Sequence, residues 1–208
     1  MITVNENITV NERNLYGLYI AVGKQGSGKT LFMIKLLIDN LKYKSKIFSN
    51  INLYNIDRDY TKISLSTRDE EEEEEKEEKE EKETVPLMLD MLDNDINVFN
   101  DSIIFLDEIH KDLDSRDFMS KNSRKIQGFF SQLRKRNCLV LATAQYFMLI
   151  DNRVRKQCFN VFDMRKISNE MFNVVVSEVD GYYYRPIINY DVKLSDYFKY
   201  YDTNEIVL

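Results

Sequence analysis

Residues 23–30, Gly23-Lys24-Gln25-Gly26-Ser27-Gly28-Lys29-Thr30, match G-x-x-x-x-G-K-[ST] without a mismatch. The glycines let the backbone curl so that successive N–H groups face a phosphate chain, and the helix that follows adds its positive N-terminal end. In this pattern Lys29 bridges the β- and γ-phosphates of ATP, and the Thr30 hydroxyl holds Mg²⁺. Some eighty residues on, residues 102–108 read SIIFLDE, an apolar β-branched run ending in two acids. Ligands bind at the C-terminal edge of open α/β sheets, and this strand delivers its carboxylates there. Asp107 then orients the metal, directly or through water, and Glu108 is the base that aligns and deprotonates the attacking water. An apolar strand ending in two acids says little alone. After a complete phosphate loop it predicts hydrolysis by the chain's own base.

Residues 133–145 (LRKRNCLVLATAQ) supply a second buried strand over 138–144, expected beside the Asp107 strand. That neighbourhood puts Gln145 near the γ-phosphate or the attacking water, where its amide senses the phosphate; the alternative is a strand-end residue satisfied by backbone. Arg134 and Arg136 precede the strand, at the edge of the sheet opposite the same subunit's nucleotide. They are poorly placed to act within their own subunit and better placed to face a neighbour's nucleotide, a task suited to a fork that stays charged. The alternative is a solvated helix end, and Arg153 and Arg155 are the next candidates. His110 reads as structural support for its neighbours rather than as a catalyst. One histidine and two separated cysteines offer no metal-ligand spacing.

The elements that position these groups alternate in type. Residues 15–22 read as a buried strand, 30–41 as a mostly buried helix, 46–53 as a second strand, 120–136 as a helix through Ile126, Phe129, Phe130 and Leu133, and 159–163 and 172–179 as further strands. The last of these leads into Asp180-Gly181, a dipeptide that favours a hairpin turn. Strands alternating with helices imply an α/β domain with a mostly parallel central sheet, helices on both faces and a C-terminal β-hairpin. The 208 residues suit one domain, 1–208, interrupted by an insertion region over 54–100 that contains a short helix near 87–92. Within it, residues 69–83 hold twelve acids and three lysines, a self-repelling low-complexity run. The remaining 26 basic and 23 acidic residues leave the rest of the chain at +3, and residues 111–166 alone reach +8. Such a segment is either scattered solvated charge or a surface facing phosphates. No apolar run approaches the ~20 residues of a membrane span, and the polar segment 1–14, with Glu6 and Glu12, is no secretory signal. A soluble intracellular protein is expected, with Cys138 and Cys158 reduced and buried.

Together the phosphate loop, the Asp-Glu strand and the Arg–strand–Gln element resemble the HerA–FtsK superfamily of P-loop motor ATPases over roughly residues 16–179. The small size looks most like the genome-packaging ATPases of membrane-containing icosahedral viruses and their archaeal relatives. That resemblance implies a RecA-like P-loop fold of the ASCE type and roles for Gln145 and for Arg134 or Arg136. It further implies a hexameric or similar homo-oligomeric ring threading double-stranded DNA, with capsid or membrane-vertex proteins as partners. The acidic insertion departs from the family pattern. Zot-like phage assembly ATPases share the same core motifs but usually carry a membrane span. A ParA-like switch would share Lys24, five residues before Lys29, yet wants Gly where this chain has Gln25.

Overall fold

A computed structural model describes residues 16–65, 86–95, 97–111, 113, 121–180 and 183–202. The acidic run, the segment 1–14 and Gly181 lie outside them. Among the described residues eight strands form one sheet in the order β3-β2-β4-β5-β1-β6-β7-β8. They are β1 (Gly17–Val22), β2 (Lys46–Ser49), β3 (Thr61–Lys62), β4 (Ser102–Leu106), β5 (Leu139–Ala144), β6 (Cys158–Lys166), β7 (Met171–Asp180) and β8 (Tyr183–Lys193). β3 to β6 in that order are parallel, and β7 and β8 run antiparallel at one edge, the expected C-terminal hairpin.

The three central strands GLYIAV, SIIFL and LVLATA are buried along their whole length, which is why they read as continuous apolar runs rather than alternating ones. Their side chains still alternate between two cores. Tyr19, Ala21, Ile103, Phe105, Leu139 and Leu141 face helix α1 (Lys29–Asn40). Leu18, Ile20, Ile104, Leu106, Val140 and Ala142 face the opposite layer. That layer holds α2 (Met88–Asn94), α3 (Lys121–Phe130) and the single turn α4 (Asn152–Arg155), packed one on the next. From the stretch 54–100, Ile63, Leu65, Met88, Leu89 and Phe99 all enter this second core.

Two elements end earlier than expected, while β6 runs on to Lys166, beyond the strand expected over 159–163. The helix expected over 120–136 ends at Phe130. Beyond it the chain tightens into turns, with Gln132 N–H bonded to Phe129 C=O and Asn137 in the left-handed region at φ 52°, so that Cys138 enters β5. The second strand ends at Ser49 rather than near residue 53. There the Ser49 hydroxyl bonds the Ile51 backbone and the Asn50 amide turns to β4, local side-chain bonds that compete with a ladder. Cys138 and Cys158 are buried and unbridged. Among the described residues no helix is long and apolar enough to cross a membrane.

Candidate functional site

The loop between β1 and α1 is held by backbone geometry. Gly23 has φ 145°, and its N–H donates to the Gln145 carbonyl at 3.2 Å. A methyl group on Gly23 would stand 2.6 Å from the Met164 carbonyl oxygen, so only glycine passes here. Ser27 N–H returns to Lys24 C=O, and Gly28 at φ 87° starts the helix, its carbonyl accepting from Phe32 N–H at 2.9 Å. Lys24, Gln25 and Gly26 form the exposed rim, while Ser27 and Lys29 are buried. Lys29 Nζ donates to Lys24 C=O at 3.0 Å. Burial lowers the Lys29 pKa, and the nearby charges of Asp107 and Glu108 oppose that shift.

β5 lies between β1 and β4, and its register brings Thr143 level with Asp107. Asp107, 4% exposed, accepts from Thr30 Oγ1 at 2.9 Å and Thr143 Oγ1 at 2.7 Å, both through Oδ1. Burial pushes its carboxyl pKa up against those two hydrogen bonds. Asn50, just past β2, holds the Asp107 backbone from the other side. Its Oδ1 accepts from Asp107 N–H at 2.7 Å, and its Nδ2 donates to Asp107 C=O at 2.8 Å. Glu108 takes the left-handed conformation, φ 53°, with its N–H donated to Thr143 Oγ1 at 2.9 Å. Its carboxylate pairs with Lys111 Nζ at 2.8 Å. Burial raises the Glu108 pKa, but the Lys111 bond and charge, with His110 and Lys29, outweigh it and hold the carboxyl below its ordinary range.

A hydroxyl and a carboxylate converge 2.9 Å apart at the start of α1. These are hard oxygen donors, and Mg²⁺ binds through one or two such protein ligands completed by phosphates and water, so the residues fit that ion. Among the described residues no group of three or more His, Cys, Asp and Glu could hold a metal ion by itself. Beside the loop opens a cleft of about 630 Å³, lined by Gly23, Lys24, Gln145, Asp163, Arg165 and Tyr184 among others. The structure therefore gathers residues 23–30, Asp107, Glu108 and Gln145 at one end of the sheet.

The arginines divide. Arg134 is exposed, its guanidinium 6.0 Å from the Tyr16 ring. Arg136, expected with it to face a neighbour, is instead 9% exposed, because its fork is taken up by Asn100 Oδ1 (3.1 Å) and Gln132 Oε1 (2.9 Å) and lies over Phe129. Arg155 is also buried, with Nη1 on Met148 Sδ, whereas Arg153 bonds Asp151. Sequence reasoning passed over Asn50, Thr143 and Lys111. The available signal was a lone hydroxyl in an apolar strand two residues before Gln145, whereas Asn50 fell inside the strand expected over 46–53.

A parallel sheet with the phosphate loop leaving β1 and the acid pair leaving β4, one strand apart, defines a P-loop NTPase. Residues 17–204 match the family Zonular occludens toxin (Zot), and the chain belongs to that family. The fold is similar to the N-terminal domain of zonular occludens toxin from Neisseria meningitidis, at a TM-score of 0.64 and 17% identity over 89% of this chain and 98% of that one. It is also similar to the genome packaging NTPase B204 from Sulfolobus turreted icosahedral virus 2 in complex with AMPPCP, at a TM-score of 0.54 and 11% identity over 83% and 97% of the two chains. The DNA-packaging ATPase B204 from Sulfolobus turreted icosahedral virus matches at 0.52, with 13% identity over 82% and 96%. No match was found among curated protein sequences. The packaging resemblance thus stands as a shared fold, and the family assignment falls on the Zot branch.

Proposed function

We propose that this chain hydrolyses ATP and uses the energy to move DNA, as a ring of identical subunits. The observation that carries the reading is the convergence of Lys29, Thr30, Asp107 and Glu108 at the C-terminal ends of two parallel strands that flank β5, with Thr30 and Asp107 already in hydrogen-bond contact. The curled loop cradles the phosphates with its N–H groups, and Lys29, released from Lys24 C=O, offsets the β- and γ-phosphate charge. Thr30 and Asp107 would hold Mg²⁺, which would supply further charge neutralisation. The Glu108 carboxylate, ionised at neutral pH, takes the proton of the water that attacks the γ-phosphorus. Gln145, whose carbonyl already bonds the loop, offers its amide to the γ-phosphate and so reports its presence. Arg134 of one subunit completes the site of the next.

The +8 segment would face double-stranded DNA, with affinity that falls steeply with salt and varies little with sequence. Genome packaging, with capsid or membrane-vertex proteins as partners, is one use of such a motor. The match to the Zot family over residues 17–204 favours a second use, a phage assembly or secretion ATPase built on the same core. An ATP-dependent switch remains distinguishable, since its turnover would not respond to DNA.

The test compares Lys29→Ala with Glu108→Gln. Lys29→Ala is expected to abolish productive ATP binding, and Glu108→Gln to keep binding while losing turnover. Equal loss of binding in both, or substantial turnover by Glu108→Gln, overturns the roles. In the same assay, wild-type turnover is expected to rise on adding double-stranded DNA. No rise would remove the motor reading and leave the switch.

A further inference from the structure

Thr143 is fully buried in β5, within a run that is otherwise Leu, Val and Ala. A buried hydroxyl needs partners, and this one joins the two acids that end β4. The Glu108 backbone N–H can only donate, so Thr143 Oγ1 accepts it, at 2.9 Å, and the hydroxyl proton goes to Asp107 Oδ1, at 2.7 Å. Glu108 at φ 53° occupies a region that a non-glycine residue holds only where its surroundings fix it. Two backbone bonds at Glu108 do so: its N–H to Thr143 and its C=O, which accepts from Lys111 N–H at 2.9 Å. That backbone conformation sets the direction in which the Glu108 side chain leaves the strand.

We propose that Thr143 is a positioning residue whose hydroxyl ties the Asp107 carboxylate to the backbone of Glu108, so that metal ligand and base keep one relative position. The inference rests on Glu108 acting as the base. Thr30 Oγ1 also donates to Asp107 Oδ1, which makes a continuous chain from the phosphate loop through Asp107 and Thr143 to Glu108. When Thr30 turns its hydroxyl away to serve a ligand, the Thr143 bond still holds Oδ1. Valine keeps the volume and branching of threonine but has neither a proton for Asp107 nor an acceptor for Glu108 N–H.

The experiment compares Thr143→Val with Thr143→Ser by two readouts. One is amide hydrogen exchange at Glu108 in protein free of nucleotide and metal; the other is steady-state ATP hydrolysis. Thr143→Val should speed exchange at Glu108 about 3–10-fold, the loss of one net hydrogen bond. It should also lower kcat roughly 10–100-fold, with KM for ATP changed less than about 3-fold, because orientation is lost and phosphate contacts are kept. Thr143→Ser should restore both. A purely packing role gives the opposite order, since serine loses the methyl group and valine does not. Wild-type exchange and kcat in Thr143→Val, or Thr143→Ser as impaired as Thr143→Val, would overturn the proposal. If Thr143→Val fails to fold, Thr143→Ser decides alone: wild-type exchange and kcat support the hydroxyl role, and impairment ends it. If wild-type protein hydrolyses no ATP, the proposed activity fails, and the exchange readout still judges the Thr143 tether by itself.

Discussion

The Asn50 side chain extends the β2–β4 ladder past the last paired residues, Ser49 and Phe105, by presenting an amide to the Asp107 backbone. Replacing it separates two effects that a single alanine would merge. Asn50→Ala removes both partners but opens space in a half-buried position, and water can reach the freed N–H and C=O. Two net hydrogen bonds at ~0.5–1 kcal/mol each give a loss of about 1–2 kcal/mol. Asn50→Leu fills the same space with carbon and excludes that water. Two unsatisfied backbone groups, each worth ~1–3 kcal/mol in full burial, then cost about 2–4 kcal/mol at this depth. For a chain of this size each kcal/mol shifts Tm by roughly 2–4 °C, so the expected drops are about 2–8 °C for alanine and about 5–15 °C for leucine. Circular dichroism melts of nucleotide-free protein measure both, and ATP turnover measured alongside should fall in the same order as the acid pair loses its support. Leucine as mild as alanine, or both within about 2 °C of wild type, would refute the assignment of this amide as the backbone's partner.

Other perturbations test the rest of the site. Lys111→Met leaves the burial of Glu108 less opposed, so its pKa rises and the acid limb of the pH–rate profile moves to higher pH. The stability that the depressed carboxyl contributes above the ordinary glutamate range, and loses as pH falls through the folded value, should shrink in the same variant; an unmoved acid limb would deny the pairing. Gly23→Ala puts a methyl group 2.6 Å from a backbone oxygen at φ 145°, strain of about 1–3 kcal/mol that displaces the loop, and nucleotide titration should show binding weakened about 5–150-fold. Arg136→Ala should lower Tm, because it strips Asn100 and Gln132 of their partner. Arg134→Ala should fold normally, be nearly inactive alone, and regain turnover when mixed with Lys29→Ala protein, since a trans arginine is worth ~10³–10⁵ in rate; a mixture that stays inactive although mixed rings form would refute action between subunits.

The chemistry-bearing groups of this chain divide by how far apart in sequence their partners lie. The phosphate loop needs only its own eight residues and the strand and helix on either side, so spacing alone located it. β4 and β5 were equally plain, because a strand buried on both faces is written as a short, mostly apolar run, IIFL in one and LVLA in the other. The ends of α3 and β2 were not, since they are set by turns that Ser49 and Asn137 make with nearby backbone. Arg136 is the instructive case. Its charge and position before β5 suggested an outward role, yet Asn100 and Gln132, one of them 36 residues away, turn it inward.

Asn50 and Thr143 carry the same lesson into the site. Each bonds the strand end at 107–108 from 35 to 57 residues away, and each does so only because β2 and β5 flank β4. Strand order is a long-range property that no local pattern encodes. Once it is known, the polar residues level with a strand-end carboxylate become identifiable by counting along a parallel register. The branch of the superfamily follows a similar logic. The absence of a long apolar run weighed against the Zot branch in the sequence, but a membrane span lies outside the strands and loops that build the nucleotide site. It therefore carries no information about which branch the core of 17–204 belongs to, whereas the match along those residues does.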